Sequence, residues 1–476
     1  MIGTGPASLN PYAAGVDPRR RTIALLALTL GVFLVTLNVT IVVVALPEIA
    51  RALHTGADTT AWIIDSYNLV GASLLLSAGY FADRFGRRRI LVAGYVLFTG
   101  GALLCAVAPN ITWLLAFRLL QAIGGTALTP TSLAIVANLY PDARERARAI
   151  GIWGITSGIG LGLGPIIGGA VVDGLGWRAV FAVNAVIGLA AMIAVLRVVP
   201  ASRSSVARRL DLAGQLLAVA FLATLTFGLI EAARFGWASP QILAIFAADV
   251  VLAYAFLRVE RRTAEPLLDL RFFRDRQFSG STFITVAAFF AFGGFIYENT
   301  LFLERGRGYS ALAAGLLTLP AALPTLAGGP ISGRLVATRG PRGVLAASTF
   351  TMGVALAALA LLPGDAPIVA FLACYLLLGI GYGVLNAPLS TVAVASMPSE
   401  QAGVAAAVVS SGRNVGIVLG IAALGSLVAA RLPDAATVDE FASALTPAYL
   451  VAAAVLAAAT VVARATLRAV PPGSAT

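Results

Sequence analysis

Apolar residues run along this chain in long blocks. Stretches of about 20 mainly apolar residues, the length a helix needs to cross a bilayer, recur near 22–46, 61–80, 90–109, 112–135, 149–172, 179–199, 212–232 and 240–258. A second set follows near 279–301, 311–333, 343–363, 367–390, 402–429 and 446–466. Between the blocks lie short polar connections dominated by arginine. The pattern predicts an all-α integral membrane protein with fourteen spanning helices.

The longest charged connection, 257–277, and a weaker break at "RVVPASRSSVARRLD" divide the blocks into six, two and six. The expected layout is an N-terminal tail over 1–21 and a six-helix bundle over 22–199. A linker with an inserted helix pair follows over 200–258, then a cytoplasmic linker over 259–278. A second six-helix bundle over 279–468 and a tail over 469–476 complete the chain. Weak internal repetition supports the division. The stretch "GYFADRFGRRRIL", from Gly79 to Leu91, has an echo in "ISGRLVATRGPRGVL", each a glycine-led basic turn between two spans.

Composition strengthens the membrane reading. The chain is 59% hydrophobic and 12% charged, against about 25% charged in soluble domains, and its mean hydropathy is +0.90. The net charge of +11 could suggest nucleic acid. All 33 basic residues are arginines, however, clustered in alternate connections, which is a topology signal and excludes a nucleic-acid partner. Clusters at Arg84, Arg87, Arg88 and Arg89, at Arg144, Arg146 and Arg148, and at Arg334, Arg339 and Arg342 fall on one side. The other side keeps only Arg51, Arg178, Arg234, Arg305, Arg307 and Arg431. This asymmetry places both termini in the cytoplasm. The first apolar run is too long for a signal-peptide core and reads as the first span.

Several functions are disfavoured by what the chain contains. A single histidine, His54, supports no metal site. Cys105 and Cys374 each sit inside an apolar run, so no disulfide framework is indicated. No phosphate-binding G-x-x-x-x-G-K-[ST] is present and no lysine could complete one. Without clustered Asp/His or a nucleophile at one membrane face, a lipid-modifying enzyme is disfavoured as well.

The repeated basic turn carries chemistry beyond topology. Gly79 permits close approach of a neighbouring helix, Asp83 can pair across a bundle interface, and Gly86 permits a tight turn. Arg84, Arg87 and Arg88 anchor the cytoplasmic end. G79-x-x-x-D83-R84-x-G86-R87-R88 resembles the loop between helices 2 and 3 of the major facilitator superfamily. "RLLQAIGG", Arg118 to Gly125, is similar to that family's helix 4 motif, with Ala122 in place of a glycine. "GIWGITSGIGLGLGPIIGG" fits the helix 5 motif of its antiporters at Gly151, Gly160, Gly164, Pro165, Gly168 and Gly169. "LNVTIVVVALP" and "WIIDSYNL" resemble the first two helices of its fourteen-helix drug:proton antiporters. Two positions depart from the first-helix motif: Asn38 replaces its aspartate, and Val43 its downstream asparagine.

The resemblance implies two six-helix bundles that rock about a central cavity, with two extra helices between them. It gives the 79–88 loop the role of a cytoplasmic latch, closed when the transporter faces outward. The helix 5 glycines and Pro165 would provide a bend and a sliding surface against the opposite half.

An ionisable side chain inside a span costs several kcal/mol when it faces lipid, so it marks a pathway or has a partner. Asp65, flanked by Trp62 and Tyr67, and Glu298 in "FIYENTLF" are the candidates for proton coupling. Asp249 falls in the inserted pair, away from the main path. The resemblance gives Arg118 a part in proton transfer, holding a nearby carboxylate ionised until substrate displaces it. Phenylalanines of "FFAFGGFIY", with Trp153, Tyr375 and Tyr382, are candidates for an aromatic cavity wall.

The expected function is export of small amphipathic or cationic drugs by a monomer in a bacterial plasma membrane. The proton gradient drives it, with no cofactor. The alternative is a metabolite importer or facilitator of the same fold, against which the helix 5 motif argues.

Overall fold

The computed structural model describes residues 18–140, 142–200, 211–263, 266–397, 402–433 and 436–467. Within them the chain is helical throughout, with no strand. Six helices form the N-terminal half: α1 (Pro18–Leu53), α2 (Ala57–Phe85), α3 (Arg87–Ala106), α4 (Ile111–Leu139), α5 (Ala143–Leu175) and α6 (Trp177–Val198). The inserted pair is α7 (Leu212–Phe235) and α8 (Pro240–Glu260). The C-terminal half holds α9 (Arg276–Leu301), the short α10 (Ala311–Leu317), α11 (Leu319–Leu361), α12 (Ile368–Ala395), α13 (Ala402–Ala429) and α14 (Val438–Thr466).

All fourteen apolar blocks coincide with helix, and twelve helices among the described residues are long and apolar enough to cross a membrane. Most of the terminal tails and the arginines at 203, 208 and 209 lie outside the described residues. The helices overrun the apolar blocks because the backbone ladder continues into the headgroup level. α1 has 36 residues, about 54 Å of rise against a hydrocarbon core of about 30 Å.

Local sequence sets the ends. The Asn110 side chain accepts from the Trp113 N–H at 3.1 Å and starts α4. Thr437 and Glu440 form a reciprocal capping box at α14. Gly86, at φ 102°, is the whole connection between α2 and α3. Only glycine adopts that conformation without strain. Its counterpart is Gly340, at φ 72°, which joins two arms of α11 over 319–339 and 341–361. Two predicted spans, 311–333 and 343–363, therefore meet across a one-residue link. The outer part of the first splits off as α10 at Thr318, where Pro320 of the next helix lacks the N–H to continue the ladder.

Helix packing within each half relies on small residues, as expected where lipid tails remove the hydrophobic drive for association. Gly416 on α13, for example, lets α9 approach until a Cβ there would stand 2.9 Å from that of Phe289. The linker after α8 docks on the C-terminal half: Phe272 and Phe278 cluster with Ala393, Ala405 and Val408. Asp269 orders this linker by accepting from Arg271 at 3.0 Å, and that guanidinium holds the Asp269 carboxyl below its usual range. The inserted pair is not wholly peripheral. α7 packs against both α2 and α13, whereas α8 packs on α7 and its apolar window is only 11% buried, so it faces lipid.

Candidate functional site: the seam between halves and its buried charges

The two halves meet along α5, which faces α10 and the first arm of α11. Its glycines divide into two stripes. Gly160, Gly164 and Gly168 recur every four residues on the face turned to α1, within the same half. A Cβ at these positions would stand 2.7 Å from the Phe33 carbonyl oxygen, 2.8 Å from the Thr40 Cβ and 2.9 Å from the Ile41 carbonyl oxygen, respectively. The expected sliding face is thus corrected: these three glycines seat α5 on α1.

The seam itself uses Pro165 and Gly169, together with Gly158 and Gly162, which lie outside the motif. A Cβ on Gly169 would stand 2.5 Å from the Ala311 carbonyl oxygen, and one on Gly315 of α10 would stand 2.6 Å from the Pro165 carbonyl carbon. Asp173 closes the same end by accepting from the Leu312 N–H at 3.0 Å. Toward the arginine-rich side the gap widens. A Cβ on Gly162 would meet Ala322 at 3.4 Å and one on Gly158 would meet Thr325 at 3.8 Å. Gly154 and Gly151 have nothing within 4 Å. The second seam, α2 against α13, repeats the gradient. A Cβ on Gly71 would stand 2.8 Å from the Asn414 amide nitrogen, but one on Gly79 would meet nothing within 4 Å among the described residues outside its own helix. The close helix approach expected at Gly79 is absent in this state because the halves have parted at their arginine-rich ends. With those ends cytoplasmic, as the arginine asymmetry predicts, the state is closed outside and open inside. In the latch, Gly86 makes its turn as expected. Arg87 and Arg88 donate to the carbonyls of Ala134 and Leu196, both within the N-terminal half. The Asp83 side chain lies outside the described residues.

Buried charge is distributed unevenly beside this seam. Arg118, 1% exposed, reaches three acceptors. Its Nε donates to the Ile63 carbonyl at 3.0 Å, and a terminal nitrogen donates to Gln121 Oε1 at 2.8 Å and to Asn38 Oδ1 at 3.3 Å. The Tyr67 ring lies 4.6 Å from the guanidinium carbon. Among the described residues, no carboxylate accepts from Arg118. The expectation that it holds one ionised is not met in this state. Asn38 fills the aspartate position of the first-helix motif, and its amide oxygen accepts from both Arg118 and Gln121.

Asp65 is fully buried, and among the described residues neither carboxylate oxygen has a partner. Helical geometry explains its separation from Arg118. Asp65 and Tyr67 are about 200° apart around α2, so Tyr67 faces Arg118 and Asp65 turns away. Both Asp65 and Arg118 lie about two turns inside their helices, which begin at Ala57 and Ile111. Trp62 leaves the site altogether. Its ring packs on Phe227 of α7, centroids 6.3 Å apart.

Glu298, 1% exposed, likewise has no partner for either oxygen among the described residues. It faces α13, where a Cβ on Gly425 would stand 3.2 Å from Oε1. The adjacent Asn299 accepts from the Tyr375 hydroxyl at 2.5 Å. The aromatic wall is a correction too. Phe289, Phe295, Tyr375 and Tyr382 are buried between α9 and α12 as core, and Phe292 stacks on Tyr382 at 3.7 Å. Asp249 accepts from Thr224 within the inserted pair. Missed by the sequence reading were Gly315 and Gln215, and Gln121 was noted only as part of the helix 4 motif. Gln215 ties α7 to α2 by donating to the Ser73 carbonyl at 2.6 Å and accepting from Ser77.

A sequence model described as Major Facilitator Superfamily matches residues 28–421. The Multidrug resistance protein Stp of Mycobacterium tuberculosis (strain CDC 1551 / Oshkosh) is 36% identical over 87% of this chain and 77% of its own length. The Tetracenomycin C resistance and export protein of Streptomyces glaucescens is 33% identical over 89% of this chain and 78% of its own. Among solved structures, a bacterial homolog of the human lysosomal transporter Spinster, inward-facing and unoccupied, superposes with a TM-score of 0.64. It shares 19% identity over 95% of this chain and 98% of that one.

Proposed function

The chain belongs to the major facilitator superfamily, among its drug-resistance exporters, and from that premise we propose that it expels amphipathic or cationic compounds in exchange for protons. It is a transporter of small molecules and not an enzyme, and its place is the bacterial plasma membrane. The names of its relatives, multidrug resistance and tetracenomycin C export, support a drug-like substrate range. It works as a monomer, without a cofactor, on the proton gradient.

One observation carries the coupling. Each half buries a carboxyl, Asp65 or Glu298, with both oxygens unpartnered inside spanning helices. A charged carboxylate in such a place costs several kcal/mol unless paired, and among the described residues neither pairs with a cation. A proton removes the charge, and a cationic substrate offers the same relief, so the two compete for the group. Alternating access then sets the direction. A proton arrives while the site faces outward and leaves when the halves part at the cytoplasmic end. Binding energy differs between the two states at Asp65 because α2 packs on α13 across the moving seam, whereas Glu298 faces α13 within the C-terminal half.

Efflux from proteoliposomes under an imposed pH gradient tests this. Asp65→Asn is expected to lower gradient-driven efflux at least about tenfold, the effect of a coupling change near 1.4 kcal/mol. Glu298→Gln is expected to leave efflux down a substrate gradient while removing its dependence on pH. Unchanged gradient dependence in both variants would remove the two carboxyls as coupling groups, and a wild type indifferent to the pH gradient would leave facilitated diffusion.

A further inference from the structure

The two copies of the basic turn are put to different use. Gly79, Gly86 and Arg88 in the first correspond in register to Gly333, Gly340 and Arg342 in the second, with Ala337 standing where the first has Asp83. Both linking glycines adopt positive φ. In the first copy the arginines are used inside the protein: Arg88 donates to the Leu196 carbonyl on α6 and Arg87 to the Ala134 carbonyl on α4. In the second copy, among the described residues, no protein acceptor is offered. Arg339 and Arg342 are exposed, and Arg464, on the last turn of α14, is exposed beside them.

These three arginines rim a groove of about 600 Å³ between the second arm of α11 and the end of α14. Its wall is small and apolar, made by Gly343, Ala346 and Ala347, and it ends on Phe350, which is 60% exposed. From Arg342 to Phe350 the helix rises about 12 Å, so the groove runs from the headgroup level into the hydrocarbon. Three like charges at the rim repel one another and call for an anion. The apolar wall below them excludes a purely soluble one as the best fit. A guanidinium fork matches phosphate oxygens two at a time, and basic pockets between helices on the cytoplasmic side suit anionic headgroups.

We propose that this groove is a binding site for an anionic phospholipid of the inner leaflet, its phosphate held by Arg339, Arg342 and Arg464 and an acyl chain lying along Ala346, Ala347 and Phe350. A headgroup with two phosphates satisfies three guanidiniums better than one phosphate does. The site lies on the lipid-facing side of the C-terminal half, so its occupancy does not depend on the transported compound.

Native mass spectrometry of the full-length protein in detergent tests it, with diphosphatidylglycerol, phosphatidylglycerol or phosphatidylcholine added. The wild type is expected to retain one diphosphatidylglycerol in preference to phosphatidylcholine. Each arginine near an anionic headgroup contributes a factor of about five, so Arg339→Gln, Arg342→Gln and Arg464→Gln together should cost roughly 100-fold. Removing the same charge elsewhere on the inner face, with Arg258→Gln, Arg261→Gln and Arg262→Gln, should leave the preference intact. Arg342→Lys, which keeps the charge, should retain most of it and guards against a folding artefact. Persistence of the preference in the groove variant overturns the proposal, as does equal loss in the control variant. So does equal binding of soluble glycerol phosphate, which would make the groove an anion site that ignores the acyl chain.

Discussion

The outer and inner ends of α5 are made of the same residue types and meet opposite circumstances. At the outer end Pro165 and Gly169 press on α10, and Asp173 accepts from its Leu312 N–H. At the inner end Gly151 and Gly154 have no neighbour within 4 Å. Between them the clearance grows steadily, through Gly162 and Gly158. A helix seated along one face on α1 and gripped by the other half at one end only behaves as a lever. Its glycines matter where the contact is made, and wait for the other state where it is not. The same motif therefore has two mechanical meanings, separated by about three turns of helix.

Substitution at the gripped end should do the most damage. In Gly315→Val the new side chain meets the Pro165 carbonyl, a backbone group that cannot rotate away. Overpacking of this kind costs about 1–3 kcal/mol, which disfavours the closed-outside state roughly five- to 150-fold. Efflux should fall accordingly at normal membrane abundance, and a thiol probe applied from outside should reach cysteines placed at the outer seam. Wild-type outer accessibility in the variant would mean that α10 yields and the grip is soft.

A milder effect of opposite sense is expected at the free end. Gly151→Leu meets nothing in the inward-open state, so its cost arises only when the inner ends close. Distances between spin labels on the inner ends of α5 and α11 should shift toward the open population. Efflux should drop a few-fold, with outer accessibility reduced. If Gly151→Leu and Gly315→Val shift the populations in the same direction, α5 is not a lever and the gradient of clearance has no mechanical role.

Much of this architecture was legible in the sequence, and the reason is the bilayer. Spanning helices must satisfy their backbone internally, so apolar length alone marks them, and arginine placement orients them. Gly86 was readable because a one-residue turn between charged helix ends leaves few alternatives. Side-chain partners were not readable in the same way. Trp62 and Asp65 look equivalent along α2, yet Trp62 packs on α7 while Asp65 is buried without a partner. Which neighbour each meets depends on how α2, α7 and α13 are arranged around one another, and no local pattern encodes that. The Arg118 network was hidden for a related reason. Asn38, Ile63 and Gln121 converge from three helices, and the departure at Asn38 shows its consequence only once they are assembled. The glycines of α5 were read as one face, because spacing every four residues identifies a stripe without saying which helix lies against it.

The smallest effect is expected away from the seam, in the inserted pair. Asp249 is as apolar in its sequence surroundings as Asp65, and both would qualify as embedded charges. The difference lies in their partners. The Thr224 hydroxyl donates to Asp249, a contact between α7 and α8 that the moving seam does not cross. An asparagine there still offers a carbonyl oxygen to Thr224, so Asp249→Asn preserves the bond. A surviving neutral hydrogen bond is worth about 1 kcal/mol, and exchanging its acceptor should shift stability by less than that. The lipid around α8 is also a better host for an amide than for a charged carboxylate. Gradient-driven efflux by Asp249→Asn should therefore stay within about twofold of wild type, with equal or slightly higher thermal stability. A loss as large as that expected for Asp65→Asn would place α8 on the proton path. The grip of Gln215 on Ser73 and Ser77 would then be the route by which the pair reports to α2.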